Sequence, residues 1–264
     1  MGKDAMTDEA SRIARAFVEA RQQGIALPDY PGALPQSLDE AYAIQDAALS
    51  YADRPVAGWK VGKINPPING VDRLVGPIFA DAVVMAADAQ TDMPMFADGF
   101  GAGEAEFLLR IGTAPDPAKP TYTMDEAAAL LDAVHVGIEI ASSPFPGINT
   151  HGAAVTISDF GNNNGLVVGP AVEDWRSVDL NAMPVALDIN GETAGEGTAA
   201  TMLDGPIGAA RFLFELMAAR GIALAAGQWI SSGAVTGVHQ VNVGDRVTAR
   251  FDHSISVECR ITAA

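Results

Sequence analysis

Hydrophobic positions recur at helical spacing at the start of the chain and alternate with polar ones along much of the rest. Ile13, Ala14, Phe17 and Val18 form an apolar stripe, with Thr7, Asp8 and Glu9 as a start whose acids complement a helix N-terminus and Gly24 as a stop. Pro28, Pro31 and Pro35 mark an irregular link. Ser37-Leu-Asp-Glu40 has the spacing of a capping box and predicts a second helix through about Tyr51. Strands are predicted at 58–61, 82–86, 107–111, 136–141, 165–168 and 185–189, interrupted by two more helices. One opens on a second capping box, Thr123-Met-Asp-Glu126, and runs to about Leu131. The other starts at Pro206, carries Ile207, Ala210, Leu213, Phe214 and Met217 on one stripe, and stops at Gly221. The chain ends on a hairpin, with Val247, Ala249 and Phe251 alternating before Asp252-His253 and Ile255, Val257, Cys259 and Ile261 after it. Residues 1–75 thus read as a helical segment with a first strand, and residues 76–264 as a β-rich domain in an α+β protein. Neither an internal repeat nor a low-complexity tract is found.

Composition narrows the class of partner. The 264 residues are 48% hydrophobic, enough for a sizeable core. Lys and Arg total 16 against 33 Asp and Glu, a formal charge of −17, which repels phosphate backbones and anionic headgroups, so neither nucleic acid nor a membrane surface is an expected partner. Cys259 is the only cysteine, so an intrachain disulfide and thiolate zinc sites are excluded and a reducing cytoplasm is expected. The first residues lack an apolar signal region, and no later run reaches the length of a membrane span. Met1 to Ala5 read either as an added remnant ahead of a natural start at Met6 or as the native beginning.

Candidate chemistry sits on the apolar strands. In Glu104-Ala-Glu-Phe-Leu-Leu-Arg-Ile111 an extended chain puts Glu104, Glu106, Leu108 and Arg110 on one face and Ala105, Phe107, Leu109 and Ile111 on the other. Residues two apart lie roughly 7 Å apart, close enough for two carboxylates to converge on one cation. Glu139 is a third acid, among Val136, Ile138 and Ile140. Two readings fit: acids on the solvent face of half-buried strands, or three oxygen ligands for a hard divalent ion such as Mg2+ or Mn2+. Lys60 follows Trp59 in a glycine-flanked apolar strand. It is either a snorkelling lysine or a desolvated ammonium that titrates low or pairs with a substrate carboxylate. Asp159 and Asn162 to Asn164 are candidates for orienting water or substrate and are also turn formers. Gly101-Ala-Gly103 lacks the helix-opening glycine of a nucleotide site. His135, His151, His239 and His253 have no metal-ligand spacing and read as structural or exposed.

In order along the chain stand Gly58-Trp-Lys-Val-Gly62, Gly70-Val-Asp72, Glu104-Ala-Glu106, Ile138-Glu-Ile140, Asp159 with Asn162 to Asn164, Gly195-Glu-Gly197, Gly233-Ala-Val-Thr-Gly237 and Gly244-Asp245. This series resembles 2-oxopent-4-enoate (2-keto-4-pentenoate) hydratases, in the hydratase and decarboxylase branch of the fumarylacetoacetate hydrolase superfamily, across almost the whole chain. The resemblance implies N-terminal helices followed by a mixed β-rich fumarylacetoacetate hydrolase-like fold. It further implies Mg2+ or Mn2+ on Glu104, Glu106 and Glu139, with Lys60 catalytic and Asp159, Ser232 and Gly233 at the substrate. The implied reaction is hydration of a 2-hydroxypenta-2,4-dienoate-type acid to a 4-hydroxy-2-oxo acid in aromatic meta-cleavage catabolism. The alternatives are a 2-oxo-3-hexenedioate (4-oxalocrotonate) decarboxylase, or a non-catalytic 2-oxo-acid-binding partner of such a pair. A homo-oligomer, or a complex with a related decarboxylase or hydratase, is also implied. Two departures stand out: Leu74 and Val75 where many relatives have an acid, and Ser142-Ser143-Pro144 where many have an Asp-Ser-Arg-like segment. Without that arginine the substrate tail is expected to meet apolar surroundings and to be uncharged. Lys63 matches no charged family position and reads as a surface charge.

Overall fold

The computed structural model describes residues 3–86, 91–252 and 254–264, with side chains from Asp8 onward. His253 lies outside the described residues. Two helices open the chain, α1 (Lys3–Gln23) and α2 (Leu38–Ala52). α1 begins about one turn before the Thr7 start signal. α2 begins where predicted, the Ser37 side chain accepting from the N–H of Glu40. The Glu40 carboxylate accepts from the N–H of Gln36.

The strands follow as β1 (Val56–Ile68), β2 (Val71–Phe79), β3 (Val83–Met85), β4 (Asp92–Met95), β5 (Phe100–Ile111), β6 (Leu131–Ser143), β7 (Asn163–Ala171), β8 (Pro184–Ile189), β9 (Glu192–Thr198), β10 (Trp229–Ser231), β11 (His239–Gln240), β12 (Arg246–Phe251) and β13 (Ile255–Ala263). Between them lie α3 (Met124–Ala129) after β5, α4 (Ala153–Ser158) after β6 and α5 (Gly205–Ala219) after β9. α3 carries the complete reciprocal capping box of Thr123 and Glu126. One sheet runs β2-β1-β10-β5-β6-β7-β3 with β11 added to β5, and the other runs β4-β13-β12-β8-β9. Each is mixed: β1 with β10, β3 with β7 and β4 with β13 are parallel pairs in otherwise antiparallel ladders. The fold is α+β, as expected.

Alternation on β5 sorts its faces. Ala105, Phe107, Leu109 and Ile111 are buried in one cluster with Val247, Ala249 and Phe251 of the second sheet. The rings of Phe107 and Phe251 meet edge to face at 5.3 Å. Glu104, Glu106 and Leu108 take the opposite face. α5 joins this core through Leu213, Phe214 and Met217 and α3 through Ala127, whereas the two N-terminal helices form a cluster of their own. Ile13, Phe17, Ile44 and Ala48 pack instead with Phe79 at the end of β2, Phe145 after β6, and Phe160 after α4. That second cluster seats α1 and α2 against the end of the first sheet, next to the turn that leads into β7.

Candidate active site

Glu104 and Glu139 are direct cross-strand partners on β5 and β6, and Glu106 lies two residues further along β5. All three are buried, Glu106 and Glu139 completely, so the solvent-face reading does not hold. One oxygen from each carboxylate lies within 4.8 Å of the others. Like charges directly opposite one another destabilise a sheet, and buried carboxylates need compensation. Lys60 on β1 supplies part of it, with Nζ 3.1 Å from Glu139 Oε1. Asn163 Nδ2 donates to that same oxygen at 3.0 Å. Glu106 Oε2 accepts from Ser231 Oγ and, at 2.8 Å, from the Gly233 N–H. The remaining oxygens, Glu106 Oε1 and Glu139 Oε2, are buried and have no partner.

The electrostatics follow from this crowding. Burial raises the Glu104 carboxyl to about 7, against the pull of the Lys60 ammonium. Burial, Glu139 and Glu104 push Glu106 well above the ordinary carboxylate range. Burial opposes the charge on Lys60, but Glu139, Glu104 and Glu106 outweigh it and hold the ammonium above the usual lysine range. The acidic neighbours thus favour the charged form of Lys60. Ionised together, the three carboxylates would exceed the one ammonium by a charge that a dication matches, and the all-oxygen donor set with two unpartnered oxygens fits a hard ion such as Mg2+ or Mn2+.

A cavity of about 1120 Å³ opens on these groups, lined by Lys60, Glu104, Glu106 and Asn162 and by the loop that follows β10. Ser232 and Gly233 both line it, and the buried Ser232 Oγ has no partner. Gly233 adopts φ of +108°, which lets its N–H turn to Glu106. Asn162 also presents a buried, unpartnered Oδ1.

Asp159 does not reach the cavity. Its two oxygens are taken by Arg21 at 2.6 and 2.8 Å and by Ser143 Oγ at 2.6 Å, and it is fully buried. Val75 and Pro144 are also buried away from the cavity wall, so they do not set the surroundings of a substrate tail. Lys63, exposed, and Arg73, paired with Asp72 and Asp204, line the cavity instead. Arg110 is spent on Asp132 at 2.7 Å on the surface. Three of the histidines have structural partners: His135 Nδ1 bonds Gly169 O at 2.8 Å, His151 stacks on Phe145, and His239 Nε2 bonds Thr236 O at 2.9 Å. Sequence reasoning missed Asn163 as the holder of Glu139 and Arg21 as the partner of Asp159. Asn163 stood in a flagged asparagine run, whereas nothing local to Arg21 marks it.

No family model matches the chain. The 2-keto-4-pentenoate hydratase of Paraburkholderia xenovorans (strain LB400) is 28% identical over 245 residues, covering 90% of this chain and 89% of that protein. The 4-oxalocrotonate decarboxylase of Pseudomonas putida is 27% identical over 141 residues, 53% of each chain. Among solved structures, 4-oxalocrotonate decarboxylase from Pseudomonas putida G7, complexed with magnesium and adipate, superposes with a TM-score of 0.80 at 20% identity, covering 96% of this chain and 97% of that one. The chain is thus similar in sequence to 2-keto-4-pentenoate hydratases and 4-oxalocrotonate decarboxylases, and its fold is fumarylacetoacetate hydrolase-like.

Proposed function

We propose that this protein is a divalent-metal-dependent hydro-lyase that hydrates a 2-hydroxypenta-2,4-dienoate-type acid to a 4-hydroxy-2-oxo acid. The observation that carries the reading is the buried triad of Glu104, Glu106 and Glu139, converging within 4.8 Å with two oxygens unpartnered. These three residues would hold Mg2+ or Mn2+, which when bound supplies Lewis-acid polarisation of a 2-oxo carboxylate. Lys60, kept as an ammonium by its acidic neighbours, pairs with the substrate's negative charge and is placed to donate a proton to the conjugated chain. Ser232 Oγ and Asn162 Oδ1 offer free hydrogen-bonding groups to the substrate or the adding water. Ser231 and the Gly233 N–H hold Glu106 in one orientation. The hydratase relative aligns over nearly the full chain and the decarboxylase sequence over about half, which supports water addition.

One observation favours a second reading. Lys63 and Arg73 line the cavity and provide positive charge for a second carboxylate, as a decarboxylase of a 2-oxo-3-enedioate would need. Incubation with 2-hydroxydienoic and 2-oxo-enedioic acids, with Mg2+ and with chelator, separates the readings by product mass. Water gain from the monocarboxylic dienoate supports the hydratase, and carbon dioxide loss from the diacid supports the decarboxylase. Metal binding without turnover of either points to a non-catalytic 2-oxo-acid-binding partner. Assembly as a homo-oligomer, or with a related decarboxylase or hydratase, is part of the proposal and is read by sedimentation. Among the described residues no helix is long and apolar enough to cross a membrane, and a cytoplasmic location is proposed with the function.

A further inference from the structure

The residues assigned so far leave α1 outside the chemistry, yet its last turn reaches toward it. Arg21 lies there, with its side chain only 8% exposed. Nε and Nη2 donate to the two oxygens of Asp159 at 2.6 and 2.8 Å, Nη1 to Asn164 Oδ1 at 3.0 Å, and Nη2 also to the Ser142 carbonyl at 2.9 Å. The rings of Phe96 and Phe160 lie near its Cζ, with centroids at 5.5 and 5.4 Å. One planar cation therefore ties α1 to β6 just past Glu139 and to β7 just past Asn163.

Between Asp159 and Asn163 the chain passes through three successive residues of positive φ, Phe160 at 54°, Gly161 at 64° and Asn162 at 65°. Two of them are not glycine, and such a turn persists only where its surroundings over-determine it. What the turn touches shows what it does. Gly76 is the β2 partner of Lys60, and a Cβ at Gly76 would lie 2.1 Å from Phe160 O. A Cβ at Gly161 would lie 3.1 Å from Lys60 Cδ. The turn is thus the seat of the Lys60 stem. It also faces Asn162 to the cavity and delivers Asn163 to the Glu139 oxygen that Lys60 shares.

We propose that Arg21, acting through Asp159, is a positioning residue for this site: it holds the left-handed turn 160–162 that seats Lys60, Asn162 and Asn163. Its catalytic consequence rests on the metal-dependent hydro-lyase reading, whereas the clamp itself does not.

The test compares Arg21→Met, Arg21→Lys and Asp159→Asn with Arg15→Met, which removes an exposed α1 arginine lying over Tyr51. Hydrogen exchange of the segment 158–165, the Mn2+ electron paramagnetic resonance signal, and steady-state kinetics on 2-hydroxypenta-2,4-dienoate are read on each full-length protein. Exchange at 158–165 is expected to accelerate about 10-fold or more in the Arg21 and Asp159 variants and to stay unchanged in Arg15→Met. Turnover should fall about 10-fold to 100-fold, with KM moved less than about 3-fold, because seating is lost and not binding. Lys60→Met should cost far less in the Arg21→Met background than alone, since groups acting as one unit are not additive. Arg21→Lys should resemble Arg21→Met, as one ammonium does not reproduce a fork spanning four acceptors. Asp159→Asn keeps the shape and decides the matter where Arg21→Met does not fold. Unchanged exchange at 158–165, or Arg21 and Lys60 losses that simply multiply, overturns the inference. A Mn2+ signal that is the same in wild type and Glu104→Gln overturns the metal reading instead, and the exchange comparison then still decides the clamp.

Discussion

Glu106 gives one carboxylate oxygen to Ser231 and the Gly233 amide and keeps the other free, while Glu139 gives one to Lys60 and Asn163 and keeps the other free. The two acids are oriented by their bonded oxygens, so replacing either by Gln removes a ligand charge from a fixed geometry. Glu106→Gln and Glu139→Gln should each weaken Mn2+ binding by at least the roughly 100-fold seen at the upper end for loss of outer-shell partners. Calorimetric titration checks this, and near-wild-type affinity in both would sink the triad assignment. Lys60→Met should leave Mn2+ affinity within a few-fold and lower kcat on the dienoate by about 10² to 10⁴, the usual worth of a positioned proton donor. Full activity in that variant would remove Lys60 from the reaction. The three acids were legible from alternation as a set, but their burial was not. Glu106 is held by Ser231 and Gly233, more than a hundred positions away in the chain. Asp159 shows the reverse failure: its turn-forming neighbours were visible, while its partner Arg21, 138 residues distant, was not.

Elements with local signals were legible, and those built on breakers were not. The capping box at Thr123 and Glu126 is present as read, so Thr123→Ala should cost about 1 kcal/mol in a urea denaturation curve. β2 escaped notice because Gly76 and Pro77 interrupt its alternation, yet Gly76 is required there by close backbone approach. Gly76→Ala places a methyl group against the Phe160 carbonyl, and a main-chain obstacle has no rotamer with which to escape. A loss of about 1–3 kcal/mol is expected from such overpacking, with a disturbed Lys60 seat. Unchanged stability in that variant would mean that the turn gives way freely. β9 is polar and glycine-rich, β10 spans three residues and α4 spans six, all too short or too polar for periodicity to register.

At the scale of the whole molecule, a bound ion adds to stability by mass action. Mn2+ at about 100 times its Kd should raise the unfolding free energy by about 2.7 kcal/mol, and chelator should return the melting temperature to its starting value. A wild-type melting curve indifferent to Mn2+ would contradict a site formed only in the folded chain. Substrate choice also belongs to this scale, because Lys63 and Arg73, cross-strand partners on β1 and β2, and the loop after β10 reach the cavity from distant parts of the chain. In competition the monocarboxylic dienoate should be consumed faster than the diacid, and Lys63→Ala should slow the diacid selectively. Faster consumption of the diacid with stoichiometric carbon dioxide would reverse the assignment.

β10 joins β1 to β5 although it comes from the last fifth of the sequence. A chain leaving the ribosome therefore exposes Glu104, Glu106 and Glu139 long before Trp229–Ser231 arrives to close the sheet over them. Until then Glu106 lacks Ser231 and Gly233, and Lys60 has no strand on that side to hold it beside Glu139. Loop closure over such distances is slow and comes late in assembly. The nascent protein is thus expected to carry its acids through synthesis as an open, hydrated strand pair with little grip on divalent ions. A ribosome-stalled chain ending near residue 220 should accordingly fail to retain Mn2+, and loading becomes an act of completion that couples metal uptake to a finished polypeptide.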